Sequence, residues 1–261
     1  MNAMNSPARV GIAKFAYVVF LIVLYPFYYY VKKDFMRQVK KNLFYPSRFV
    51  SYSETRPVYY DVFAFFVNFP LFDKVYRVLP PLTGRVLQVG CGTGLMNRYL
   101  KKQGILPDMV NLDPNIHSLK YAMKWKRIDS FLQSGIEKVD LPDQSFDTIL
   151  MARCFHHIRS TRKALSECSR LLKPGGKLII FDPVLLDRKH EITEAYMANS
   201  TIDGFIWRYS EECLVRHVRK FTPPELPVTD IRAVRLPITT NYCFKYEHKD
   251  MIITLTKTEE V

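Results

Sequence analysis

The chain has 261 residues, with 38 Lys+Arg against 25 Asp+Glu and a formal net charge of +13. A hydrophobic fraction of 48% and an aromatic fraction of 14% exclude a disordered or collagen-like polypeptide, and the length suits one sizeable domain or two small ones. The five cysteines are scattered, odd in number and never spaced C-x-x-C, which argues against a disulfide scaffold or zinc ribbon and fits reduced thiols.

Taken from the N-terminus, the charge is uneven. Residues 1–50 hold eight basic residues and one acid, so over half of the excess lies in the first fifth of the chain. Phe15–Val31 is a 17-residue run without a charge. At ~1.5 Å per residue such a helix reaches about 25 Å, slightly short of a hydrocarbon core of about 30 Å. Lys14 and Lys32 can snorkel, and the aromatic cluster Tyr25–Tyr30 suits an interface. Lys32, Lys33, Arg37, Lys40 and Lys41 follow. The segment is expected to anchor the protein, spanning the bilayer or lying in its surface, with the remainder on the cytoplasmic side. A cleaved signal peptide and a buried helix are the alternatives. Local basicity beside an apolar run points to an anionic membrane surface, and no nucleic-acid partner is expected. A second aromatic stretch, 58–72, follows a polar linker at 46–57 and reads as a packing helix or a hydrophobic lid.

From residue 85 the pattern changes. Arg85–Gly90 is a short apolar strand, Cys91–Gly94 a glycine-rich turn, and Leu95–Gln103 a helix stopped by Gly104. This is the opening of a nucleotide-binding βαβ unit. The glycines at 90, 92 and 94, with Leu at 95, depart from the G-x-G-x-x-G of dinucleotide sites, which argues against NAD. Asp108–Asp113 reads as a second strand ending in an acid, 19 residues after Gly94. A carboxylate there can accept both ribose hydroxyls of an adenosine, or cap the helix that begins after Pro114. Phe131–Glu137 reads as a short strand and turn, Leu141–Met151 leads into a fourth strand, and Leu171–Asp182 holds a helix end, a Pro-Gly-Gly turn and a fifth strand.

The G-x-G-x-G turn, with LPDQSFDTILMARCFHHI and LLKPGGKLIIFDP after it, resembles class I S-adenosylmethionine-dependent methyltransferases of the type 11, ubiquinone-methyltransferase-like group. The likeness is good over about 80–185, loose beyond and nearly absent before. It implies an α/β fold: a seven-stranded Rossmann-like sheet of order 3-2-1-4-5-7-6 with helices on both faces, here preceded by a hydrophobic helix. The implied layout is an anchor and basic flank at 1–45, a linker and aromatic lid or cap at 46–80, and a methyltransferase domain at 81–261. By the family pattern the cofactor S-adenosylmethionine is bound by Gly90, Cys91, Gly92 and Gly94. Asp113 takes the ribose, and Pro114 and Asn115 edge the adenine. Ile136 and Glu137 lie where the family commonly has an acid facing the adenine amine. Met151 and Ala152 lie under the methionine chain.

One position departs from the family. Gln88 stands where an acid is usual, and a neutral amide orders the cofactor's amino group more weakly. His156 and His157 leave the fourth strand at the methyl-donor pocket and are the candidate bases; capping and packing are their plainer roles. Tyr59, Tyr60, Trp207 and Tyr209 are candidates for the acceptor pocket, against the plainer reading of core aromatics. No His/Cys/Asp cluster has metal-ligand spacing. The resemblance implies methyl transfer to a lipophilic small molecule: a quinone precursor, a lipid or a hydrophobic metabolite. The alternatives are a degenerate cofactor-binding membrane protein, and a rhodoquinone-type enzyme that uses the cofactor as amino donor.

Overall fold

The computed structural model describes residues 57, 58, 60, 61, 76–105, 108–184, 194–200, 204–235 and 249–259, all within the compact unit Ser53–Val261. The expected anchor at 15–31, its basic flank, the linker up to residue 56, Tyr59 and most of the aromatic stretch lie outside the described residues. No described helix is long and apolar enough to cross a membrane.

The elements in chain order are β1 (Arg85–Val89), α1 (Leu95–Lys102), β2 (Asp108–Asp113), α2 (Ile116–Lys124), β3 (Leu132–Gln133), β4 (Phe146–Ala152), a 3-10 turn (Phe155–His157), α3 (Thr161–Leu171), β5 (Leu172–Val184), β6 (Tyr196–Ser200), β7 (Gly204–Arg208), α4 (Glu211–Phe221), β8 (Val228–Arg235) and β9 (Lys249–Thr256). The main sheet has the order β3-β2-β1-β4-β5-β9-β8, and β6 and β7 form a separate hairpin. Set the hairpin aside and the order is the expected 3-2-1-4-5-7-6. The first five strands run parallel, and β9 runs antiparallel to both β5 and β8.

β1 is central, so Val86, Leu87, Gln88 and Val89 are all buried, as a parallel strand covered on both faces requires. Alternation splits the sheet into two cores. Leu87, Val89, Ile149, Met151, Leu178, Ile180 and Ile253 pack with α3 and α4. Leu150, Ile179, Phe181 and Ile252 pack on Met96, Tyr99 and Leu100 of α1. In α4, Ser210 accepts the Cys213 N–H, Glu211 and Glu212 fill the first turn, and Arg219 and Lys220 end the helix, each matching the helix dipole.

Two readings of local structure change. The Pro-Gly-Gly segment is not a separate turn before the fifth strand but lies within β5. Phe146 pairs with Leu172, yet Thr148 pairs with Lys177, so β5 bulges there and Gly175 takes a φ of 73°. Gly204–Arg208 forms β7, paired antiparallel with β6, where the sequence suggested no strand.

Candidate cofactor and acceptor site

The carboxyl ends of β1, β2, β4 and β5 meet on one edge of the sheet, where ligands bind in open α/β folds. The turn after β1 is left-handed at Gly90, Gly92 and Gly94. These glycines answer to different constraints. A Cβ at Gly90 would lie 2.5 Å from Cys154 Cβ, so this glycine admits the β4 exit against β1. A Cβ at Gly92 would meet nothing within 4 Å, so the backbone there faces open space.

Asp113 ends β2 under this turn. Its Oδ2 accepts the Gly92 N–H at 2.8 Å, and its Oδ1 accepts the Asn115 N–H at 2.8 Å. A carboxylate offers about four lone-pair positions, so roughly two remain for a diol. Burial pushes the carboxyl pKa up, and the two backbone N–H donors partly counter this. The helix cap that Asp113 was offered belongs instead to Asn115, whose side chain accepts the His117 and Ser118 N–H groups. Gln88 is 2% exposed, and its Oε1 has no hydrogen-bond partner. It shares a sheet face with its β4 partner Leu150, on the α1 side. A buried acceptor without a donor is costly. Asp113, open space over Gly92 and an unmet amide oxygen together fit the ribose, the backbone approach and the ammonium of an adenosyl-amino-acid cofactor.

The other expected cofactor contacts differ in exposure. Met151 is 0% exposed and Ile136 is 3% exposed, both inside the core of α3 and α4. Their side chains pack the sheet and offer a ligand no surface. Cys91 is buried against Leu119, Ala122 and Ile128. Glu137 Oε1 accepts the Ser160 N–H at 3.3 Å, which holds the start of α3. Pro114 is exposed beside Asp113, and Ala152 is half-buried at the end of β4. Burial raises the pKa of Cys91, Cys154, Cys168 and Cys213, so none of these thiols is poised as a thiolate nucleophile.

His156 and His157 lie in the 3-10 turn with ring centroids 4.1 Å apart. His156 Nδ1 is 3.0 Å from both oxygens of Asp182, which is fully buried at the end of β5, and the His156 N–H also donates to Asp182 Oδ2 at 3.1 Å. A carboxylate partner requires a proton on Nδ1, which leaves the lone pair of neutral imidazole on Nε2. His157 is exposed. Beside this pair Arg153, at a φ of 60°, donates to Asp250 Oδ1 at 2.9 Å, and the other oxygen of Asp250 is buried without a partner. Trp207 and Tyr209 are core aromatics. Trp207 Nε1 donates to the Ile158 carbonyl at 2.7 Å, and Tyr209 is 1% exposed, stacked between Trp207 and Phe155. Tyr60 is exposed.

Asp182, Asp250, Asp61 and Arg127 were not singled out from the sequence. Asp182 carried a usable signal, an acid ending an apolar strand, the same that marked Asp113. Asp61 and Asp250 carried none, because their partners lie 32 and 97 residues away.

Residues 87–180 match the family model described as "Methyltransferase domain". A mitochondrial ubiquinone biosynthesis O-methyltransferase of Mus musculus is 32% identical over 109 residues, 38% of this chain and 29% of that protein. A demethylmenaquinone methyltransferase of Tropheryma whipplei is 31% identical over 97 residues, 36% of this chain and 40% of that protein. The match thus spans less than half the length of these relatives. Among solved structures, an S-adenosylmethionine-dependent methyltransferase of Thermotoga maritima, titled a possible histamine N-methyltransferase, superposes with a TM-score of 0.56 at 20% identity, over 79% of this chain and 98% of that one. That likeness shows the fold. Residues 87–180 thus combine a match to a methyltransferase domain with the fold of a solved methyltransferase, and the glycine turn and Asp113 stand at the carboxyl edge of that fold.

Proposed function

We propose that the protein is a membrane-associated methyltransferase acting on a lipophilic small molecule, with its catalytic domain on the cytoplasmic side. The observation that carries this reading is the carboxyl edge of the sheet. There Asp113 keeps acceptor capacity for a ribose and Asp182 holds His156 one strand beyond β4. The cofactor supplies an electrophilic methyl group on a sulfonium, so the protein's work is alignment and proton removal. Asp113 and Gln88 hold the cofactor's two polar ends. His156 takes the proton of an acceptor hydroxyl at Nε2, and Asp182 fixes the ring and its tautomer. Membrane association is supported by the uncharged run Phe15–Val31 and the basic residues after it. The lipophilic acceptor is supported by the names of the mouse and Tropheryma relatives, both of quinone biosynthesis.

Full-length protein in detergent, given methyl-labelled S-adenosylmethionine and a lipid extract, is expected to put label into an organic-soluble small molecule. Label confined to polypeptide, or no label at all, would overturn the reading. His156→Ala is expected to lower kcat by about 100-fold, the low end of general-base contributions. A variant as fast as wild type removes His156 from the chemistry.

A further inference from the structure

Asp61 precedes the methyltransferase domain, yet both of its oxygens are spent on that domain. Oδ1 accepts the Thr93 hydroxyl at 2.5 Å, and Oδ2 meets Arg127 Nη1 at 2.6 Å. The same Nη1 donates to the Thr93 carbonyl at 2.9 Å. The two side chains are only 13% and 10% exposed. Arg127 also lies over the Tyr121 ring at 5.3 Å.

Thr93 is the residue between the left-handed Gly92 and Gly94. Its hydroxyl is held by Asp61 and its carbonyl by Arg127. Gly94 is pressed on by Arg127 as well, since a Cβ there would lie 2.9 Å from Arg127 Cβ. Asp113 grips the turn through the Gly92 N–H. The turn is therefore fixed from two directions, and one anchor comes from outside the βαβ unit. A neutral side chain at 61 would leave a nearly buried guanidinium without its counter-charge, which is costly.

We propose that Asp61 is a positioning residue for S-adenosylmethionine: it locks the Gly92–Gly94 turn in its binding conformation and couples the segment before the domain to cofactor binding. This rests on the cofactor reading above. Asp61 touches neither cofactor nor acceptor; it acts through Thr93. By reciprocity, a cofactor that favours the locked turn also favours the docked position of Asp61.

The test is calorimetric binding of S-adenosylhomocysteine to full-length protein in detergent, for wild type, Asp61→Ala, Thr93→Val and the double variant. Each single change is expected to weaken binding about tenfold, the scale of one charged hydrogen bond. The double variant is expected to be no weaker than about the worse single one, because both remove one shared contact. Thr93→Ser, which keeps the hydroxyl, is expected to bind like wild type, and it separates a lost hydrogen bond from a damaged fold. Fully additive losses, or unchanged affinity in Asp61→Ala, overturn the proposal while leaving the cofactor reading intact. Wild type that binds no S-adenosylhomocysteine overturns both.

Discussion

A methyl added at Gly90 would lie 2.5 Å from Cys154 Cβ and 2.8 Å from its Sγ, whereas one at Gly92 would meet no atom within 4 Å. Both residues sit at positive φ, so Ala costs about 1–2 kcal/mol of backbone strain at either. Gly90→Ala adds overpacking of about 1–3 kcal/mol and is expected to show a large loss in urea unfolding. Gly92→Ala is expected to lose only the strain while binding S-adenosylhomocysteine at least about tenfold more weakly, because the new methyl occupies the face a ligand needs. Equal effects of the two variants on stability would refute this division. Asp113 gives a pH prediction. Its pKa is raised by burial, and only the ionised form accepts two hydroxyls without donating. Affinity should therefore fall on acidification, with a midpoint above the ordinary Asp value of about 3.9. Asp113→Asn should bind weakly and with no such step. A wild-type profile flat from pH 7 to pH 4 would show that Asp113 does not hold the ligand. The motif spacing made Asp113 legible, but it could not separate Gly90 from Gly92, because what distinguishes them is Cys154, 64 residues on.

α4 and the β6–β7 hairpin decide between the two readings of an aromatic run. Asp203–Ser210 has the composition of an acceptor loop, yet Trp207 and Tyr209 surround His217 of α4 with ring centroids at 5.0 and 5.2 Å, and Phe221 closes the cluster at 4.7 Å. Composition records that aromatics are present; only packing against α4 decides that they face inward. His217 Nε2 lies 2.9 Å from the Thr161 hydroxyl, which ties α4 to α3. Burial, helped by the nearby Lys220, lowers the His217 pKa from 6.5 to about 4. The unfolded chain then binds the proton that the folded chain refuses, so His217 subtracts stability as pH falls from about 6.5 to about 4 and has no effect above that window. Unfolding at pH 7 and pH 5 is expected to show this loss in wild type and a smaller one in His217→Gln, which keeps a polar contact to Thr161. Equal acid sensitivity in both would place its source elsewhere.

At the scale of the molecule, the last strand closes the site. β9 brings Asp250 to Arg153 at the exit of β4, across 97 residues of chain. Asp250 is 1% exposed, so Asp250→Ala leaves a guanidinium, itself 22% exposed, without its buried partner. A loss of about 3 kcal/mol in detergent unfolding experiments is expected, the lower end for breaking a buried pair. A loss under about 0.5 kcal/mol would mean that solvent screens the pair as it does at the surface. The sequence by itself determined the order of the first five strands, the glycine turn, the acid ending β2 and the cofactor class that the resemblance implies, because each is written in contiguous residues with fixed spacing. It also marked the apolar run and basic flank that motivate a membrane setting. The tertiary structure decided which buried polar groups meet: Asp182 with His156, Asp250 with Arg153, Asp61 with Thr93 and Arg127. It also turned Met151, Ile136, Trp207 and Tyr209 inward. Those pairings depend on sheet order and register, which bring distant segments to one edge, and no local spacing encodes them.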